Sequence, residues 1–296
     1  MIERIAFGYA SPRDFQPVAT SLPPSRLEEP ANWLRRHVRL GHPQRPPMSL
    51  VYLRRDDCAA VLCRLSYAAT GDGRDDVCRC LLGSPAGLTA KVALTLHDWD
   101  GWHRRNWVGT ELAPIAVPIR NYAVGSLRDA CVQRKDELVC LMAAALRNPA
   151  APLSIIADES TCLPDRAGLL LGMEAVLGPL FEGAGRPPFT FATFATFSNF
   201  EDRDGRGAPE VAFVPPGPPS SPPFPGRPSV DLRQLPDPLQ PDDHYLAAAE
   251  LVELYLVAGS RPLAEFLRAN GVLAPDSIDD RVASLIDLDL PNLLGS

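Results

Sequence analysis

The sequence predicts a mixed α/β or α+β fold: a sheet covered by helices, then a proline-rich linker and a small C-terminal helical unit. Three observations predict it. Apolar residues share one strand face in "RIAFGYA", and the apolar arms "SLVYLRR" and "CAAVLCRLSYAA" flank a charged centre as in a hairpin. Apolar stripes at helical spacing run through residues 126–147 and onward from Pro164. Strands and helices interleave in the middle of the chain, the pattern of a helix-covered sheet rather than a bundle or a sandwich.

Element by element, "RIAFGYA" reads as a first strand with Ile5, Phe7 and Tyr9 on one face. A proline-rich loop and a short helix around "PANWLRRHVRL" follow. "SLVYLRR", the pair Asp56–Asp57 and "CAAVLCRLSYAA" form a hairpin pattern, and "VCRCLLG" is a third strand after the "GDGRDD" turn. Thr89 N-caps a helix through "AKVALTLHDW" with Val92, Ala93 and Leu96 on its buried side, ending near Asp98 to Gly101. Residues 126–147 form one helix, with Ser126 and Asp129 at its start and Leu127, Ala130, Cys131, Leu138, Leu141, Met142 and Ala145 on its stripe.

"LSIIADE" is a short strand, followed by a helix from Pro164 burying Leu170, Met173, Val176, Leu177 and Leu180. "FTFATFATF" and "EVAFVPP" are two more strands. Residues 215–241 hold eleven prolines in 27 positions, the composition of a stiff linker. Three short helices end the chain. The expected divisions are a β-rich α+β domain (1–124), a middle α/β region packed on it (125–214), the linker (215–241) and a helical segment (242–296).

The net charge of −7 gives no general attraction to a phosphate backbone. The basic groups Arg35, Arg36 and Arg39, and Arg104 with Arg105, are short enough to be solvated helix faces, so nucleic acid is not an expected partner. No basic stretch leads into an apolar core at the N-terminus, and no apolar run reaches membrane-spanning length. Seven irregularly spaced cysteines argue against a disulfide framework, so a cytoplasmic protein without membrane association is expected. Cys78 and Cys80 share a strand face, which permits a thiolate pair, although small buried hydrophobes are the favoured reading.

The densest chemistry is "HDWDGWHRRNW", residues 97–107, which holds three of the four tryptophans and two of the five histidines. His97, Asp98 and Asp100 are residue types that ligate a divalent metal or serve a hydrolase or nuclease. Interleaved Trp99, Trp102 and Trp107 carry large apolar area and favour an aromatic anchor instead. Asp158, Glu159 and Ser160 lie between a strand and a helix, where open sheets place their sites, but without a nucleophile-elbow context. The turn "GDGRDD" lacks the ligand spacing of a calcium loop. Phosphate-loop, dinucleotide and HExxH motifs are absent, and no cofactor or bound metal is expected.

In order and character, "FGYASPRDFQPVATS", "LVYLRRDDCAAVLCRLSYAATGDGRDDVCRCLLG", "LTAKVALTLHDWDGW", "PLSIIAD" and "RPPFTFATFATF…PEVAFVPP" resemble the N-terminal and middle domains of actinobacterial GTPase-associated proteins. Those proteins belong to bacterial conflict or signalling gene clusters, and the resemblance covers about residues 1–215. Where that family tends to carry Gly-Asn and then a histidine, this chain has Asp75, Asp76, Cys78 and Cys80, so no catalytic residue carries over. The resemblance implies a non-catalytic adaptor beside a GTPase or NTPase or a nearby effector. The residues leave two other readings open: a metal-dependent hydrolase on His97, Asp98 and Asp100, and a toxin-neutralising partner whose acidity answers a basic toxin.

Overall fold

The computed structural model describes residues 1–11, 14–38, 48–55, 58–66, 77–116, 124–158, 160–185, 188–195, 209–216, 227–235 and 241–288. Asp56–Asp57, Glu159 and the "GDGRDD" turn lie outside them, as does Arg39. Nine strands form one mixed sheet in the order β2-β1-β5-β4-β3-β7-β8-β6-β9. They are β1 (Glu3–Ser11), β2 (Asp14–Thr20), β3 (Met48–Arg55), β4 (Ala59–Ser66), β5 (Val77–Gly83), β6 (Leu153–Ile156), β7 (Phe191–Ala192), β8 (Val211–Val214) and β9 (Ser229–Asp231). From β2 to β7 neighbours are antiparallel, and from β7 to β9 they are parallel.

Alternation divides the side chains between two cores. Ile5, Phe7, Val51, Val61, Cys63, Cys78 and Cys80 face one way, under helix α1 (Pro24–Val38), which contributes Ala31, Leu34 and Val38. Leu50, Tyr52, Leu62 and Leu81 face the other way, into the larger core built by the remaining helices. These are α2 (Ala90–Thr95), α3 (Val124–Gln133), α4 (Lys135–Arg147), α5 (Leu163–Phe181), α6 (Asp243–Ala258), α7 (Ser260–Ala269) and α8 (Ile278–Ile286).

Helix α5 is the axis of that larger core. The stripe of Leu170, Met173, Val176, Leu177 and Leu180 is buried, and so are Leu169 and Leu171 on the flanks, because helices cover α5 on several sides. Its glycines admit the closest neighbours. A Cβ on Gly172 would lie 2.7 Å from Leu138 Cδ2, and one on Gly168 2.7 Å from Ala130 Cβ.

Five expectations need correction. The loop after the first strand contains β2, whose Pro17 is tolerated because β2 is the sheet edge; Phe15 stacks on Phe7 with ring centroids 6.1 Å apart. The single helix over 126–147 is two helices broken at Arg134, with φ −116° and ψ 34°. There the guanidinium reaches Glu137 at 2.8 Å and Asp165 at 2.9 Å, pinning the break against α5. Because α3 starts at Val124, Ser126 lies inside its first turn rather than at the cap.

Of the strand read across "FTFATFATF", the described residues form a strand at Phe191–Ala192, with single backbone bonds beyond it from Thr193 to Leu50 and from Ala195 to Phe213; residues 196–197 lie outside them. The proline-rich stretch contributes β9, bonded to β6 through Ser154 N to Pro228 O at 2.9 Å and Leu232 N to Ile156 O at 2.8 Å.

The sheet therefore takes β1–β5 from residues 1–124, β6–β8 from 125–214 and β9 from 215–241. The C-terminal helices pack on this body. Asp242 caps α6 through the Tyr245 N–H and receives two bonds of 2.8 Å from Arg147 on α4. Lys135 pairs with Glu253, and Arg128 donates to the Leu256 carbonyl at 2.6 Å. Among the described residues no helix is long and apolar enough to cross a membrane.

Candidate functional site

Residues 97–107 leave α2 as two short 3-10 turns. Thr89 accepts from the Val92 N–H and starts the helix, and the Leu96 N–H closes it onto Val92 and Ala93. His97 then turns inward: it is 6% exposed, and its Nδ1 lies 3.2 Å from the Leu94 carbonyl, which calls for the Nδ1–H tautomer. Burial lowers its pKa, which favours the neutral ring. Asp98 and Asp100 are exposed, and Asp100 is 3.7 Å from the exposed His103. The structure thus places His97 inside and both carboxylates outside, and these three residues do not form a metal-ligating group.

The tryptophans organise the segment. Trp102 is 1% exposed and donates its indole N–H to the Leu96 carbonyl at 2.6 Å. Trp107 donates to the Gly101 carbonyl at 2.8 Å and stacks on Trp102 with centroids 6.1 Å apart, while Trp99 meets Trp102 edge-on at 5.4 Å. The Trp99 ring lies over Gly101, where a Cβ would come within 2.1 Å of it, so this turn requires glycine. Cations from the sheet close the stack: Arg4 sits 5.2 Å from the Trp107 centroid and Arg64 5.8 Å from that of Trp102. Arg4 also donates to the carbonyls of Ala113 and Asn106, tying the knot to β1.

The segment after β6 is held by a residue that sequence reasoning passed over. Arg166, buried on α5, donates to Thr161 O at 3.0 Å and Thr193 O at 2.9 Å and lies 5.5 Å from the Phe213 ring. Asp158 is exposed and accepts from the Ser160 N–H at 3.1 Å, a local turn that accounts for both polar residues. Only its place on a stripe of otherwise apolar residues singles Arg166 out in the sequence.

Two further features hold chemistry. On the α1 face, register sets Cys63 of β4 opposite Cys80 of β5, with Cys78 on the same side. The Sγ atoms of Cys63 and Cys80 are 3.2 Å apart and those of Cys78 and Cys80 3.5 Å, all three fully buried and free of disulfides. Hydrogen bonds from the other two thiols lower the Cys63 pKa, while burial raises those of Cys78 and Cys80. Among the described residues these are the one group of histidine, cysteine and carboxylate side chains placed to hold a metal ion.

On the opposite face a cleft of about 580 Å³ opens between β3, α2, α5 and the start of α7. Arg54, Lys91 and Arg261 line it together with Glu174 and Glu182, and Tyr52 forms part of the wall, donating to the Leu88 carbonyl at 2.7 Å. Burial pushes the Tyr52 phenol up to about 12 and raises the Glu174 carboxyl, against which Lys91 acts. The folded Glu174 keeps its proton to higher pH than the unfolded chain, so its contribution to stability falls as pH rises from the ordinary carboxylate value through the folded one. Glu174→Gln is therefore expected to raise the melting temperature at neutral pH, with the gain shrinking below the ordinary carboxylate range. Melting curves of both proteins across that window check this, and an unchanged or lowered neutral melting temperature contradicts it.

No protein-family model, curated protein or solved structure matches this chain.

Proposed function

We propose that this chain is a non-catalytic adaptor or regulatory module of a GTPase- or NTPase-centred bacterial conflict or signalling system. The observation that carries the reading is the cleft: about 580 Å³, with three cations and two carboxylates on walls drawn from β3, α2, α5 and α7. Mixed charge around a wide concavity suits a charged segment of a protein partner, where electrostatic complementarity sets specificity and encounter rate. Two further considerations support it. The polar residues of the tryptophan knot do not converge, and their aromatic neighbours are spent on tying a loop to the sheet. The resemblance of residues 1–215 to GTPase-associated proteins names the kind of partner, an NTPase or effector encoded beside this chain.

Co-expression of the affinity-tagged chain with the neighbouring NTPase is the test. Capture of that protein in at least one nucleotide state, weakened by Lys91→Glu with Arg261→Glu, is expected. A clean preparation without it in either state overturns the reading.

A further inference from the structure

We propose that Cys63, Cys78 and Cys80 form a thiol-only, three-coordinate site for a soft trivalent metalloid of the arsenite class, entered from a hollow beneath α1. The geometry is that of a shared central atom. Two sulfur ligands each about 2.3 Å from one centre can be at most about 4.6 Å apart. The Cys63–Cys80 and Cys78–Cys80 separations of 3.2 and 3.5 Å fall inside that limit, and the third pair, Cys63–Cys78, lies within 4.8 Å, a small adjustment from it. Two central, hydrogen-bonded strands hold them, so the sheet fixes the spacing before any ligand arrives.

The surroundings decide which centre fits. The neighbours on that face are Ile5, Phe7, Val51 and Leu65, and among the described residues no imidazole or carboxylate joins the three sulfurs. Structural zinc almost always takes four ligands, and a fully buried apolar shell offers neither a fourth side chain nor an open position for water. Charge points the same way. Three thiolates make a monoanion around a divalent ion and a dianion around Cu(I), and uncompensated charge is costly in an apolar interior.

A trivalent metalloid makes a neutral complex with three thiolates and needs no further ligand. Arsenous acid is itself neutral. Each As–O bond breaks as an As–S bond forms, the thiol proton leaves with the hydroxide as water, and arsenic stays trivalent throughout.

A hollow that approaches the sulfurs lies on the same face. It is about 320 Å³ and is lined by Pro30 and Trp33 of α1, by Ala59 of β4 and Leu82 of β5, and by the exposed Cys58. Along β5 the half-buried Leu82 lies two residues beyond Cys80, about 7 Å of strand. On β4 the sequence Ala59, Val61, Cys63 runs the same way. Cys58 thus stands at the mouth, where a first thiol exchange can take place.

The test is native mass spectrometry of the reduced full chain, incubated with sodium arsenite as folded and after refolding in its presence. The expected product has gained one arsenic and lost three hydrogens. The variant Cys58→Ser with Cys162→Ser, both exposed positions, is expected to take up the same single arsenic after refolding, and Cys80→Ala none. Arsenic-edge X-ray absorption of the wild-type complex, which needs no variant to fold, should show sulfur neighbours without oxygen. The proposal is overturned by no uptake after refolding, by uptake that survives Cys80→Ala, by oxygen remaining on arsenic, or by Zn(II) or Cu(I) displacing arsenite at equal concentration.

Discussion

Replacing Trp102 by alanine is expected to destabilise the protein by about 3–5 kcal/mol, the range for removing a large aromatic from a packed core. The side chain is 1% exposed, so its whole apolar surface is withdrawn from water. Its loss leaves a void flanked by Trp99 and Trp107, whose rings stand 5.4 and 6.1 Å away and would lose their shared partner. It also removes the 2.6 Å bond to the Leu96 carbonyl, itself at the buried end of α2. Trp102→Phe separates the two effects, keeping an aromatic ring and losing the donor, for an expected cost of about 1–3 kcal/mol. Urea unfolding at unchanged m-value gives both numbers. A loss below about 1 kcal/mol for the alanine variant would mean that the knot does not anchor this loop.

Arg281→Met is expected to loosen the C-terminal helices at a cost of about 2–4 kcal/mol, given the usual worth of hydrogen bonds from a charged donor. Arg281 is 6% exposed and donates to three carbonyls: Pro275 at 2.6 Å, Leu180 at 2.9 Å and Glu182 at 2.7 Å. Two of these acceptors lie at the end of α5 and one precedes α8, so one guanidinium fastens the last helix to the axis of the core. Methionine retains much of the stem's apolar contact and removes every donor. Lysine restores one point of charge without the planar fork, and Arg281→Lys is expected to recover less than half of the loss. Hydrogen exchange should show faster exchange across Ile278–Ile286 with β1–β5 unchanged. Unchanged protection of that helix would contradict the role given to Arg281.

What could be read from the residues follows physical scale. Apolar runs on either side of turn residues exposed β1, β3, β4 and β5, and strand period two put Cys78 and Cys80 on one face. Cys63 joins them only through the pairing register of β4 with β5, which alternation within a single strand does not specify. Pro17 hid β2, because proline reads as a loop signal unless the strand is known to be an edge. β9 was hidden in the same way among eleven prolines.

The break at Arg134 lies on an apolar stripe and is marked by ion pairs to Glu137, which a continuous helix would also allow, and to Asp165, 31 residues away. Arg166 and Arg281 resist sequence reading for a related reason: their partners are backbone carbonyls, which no residue type announces. His97, Asp98 and Asp100 are neighbours in sequence alone, because a single turn of backbone sends His97 inward and Asp98 outward.

The measurement that bears most directly on the proposed adaptor role is the dissociation constant between this chain and an NTPase of the kind proposed as its partner, taken at two salt concentrations. The account predicts saturable binding that weakens with salt and falls at least about tenfold, or about 1.4 kcal/mol, in the Lys91→Glu, Arg261→Glu variant. Absence of binding in both nucleotide states, or equal binding by the variant, would contradict it.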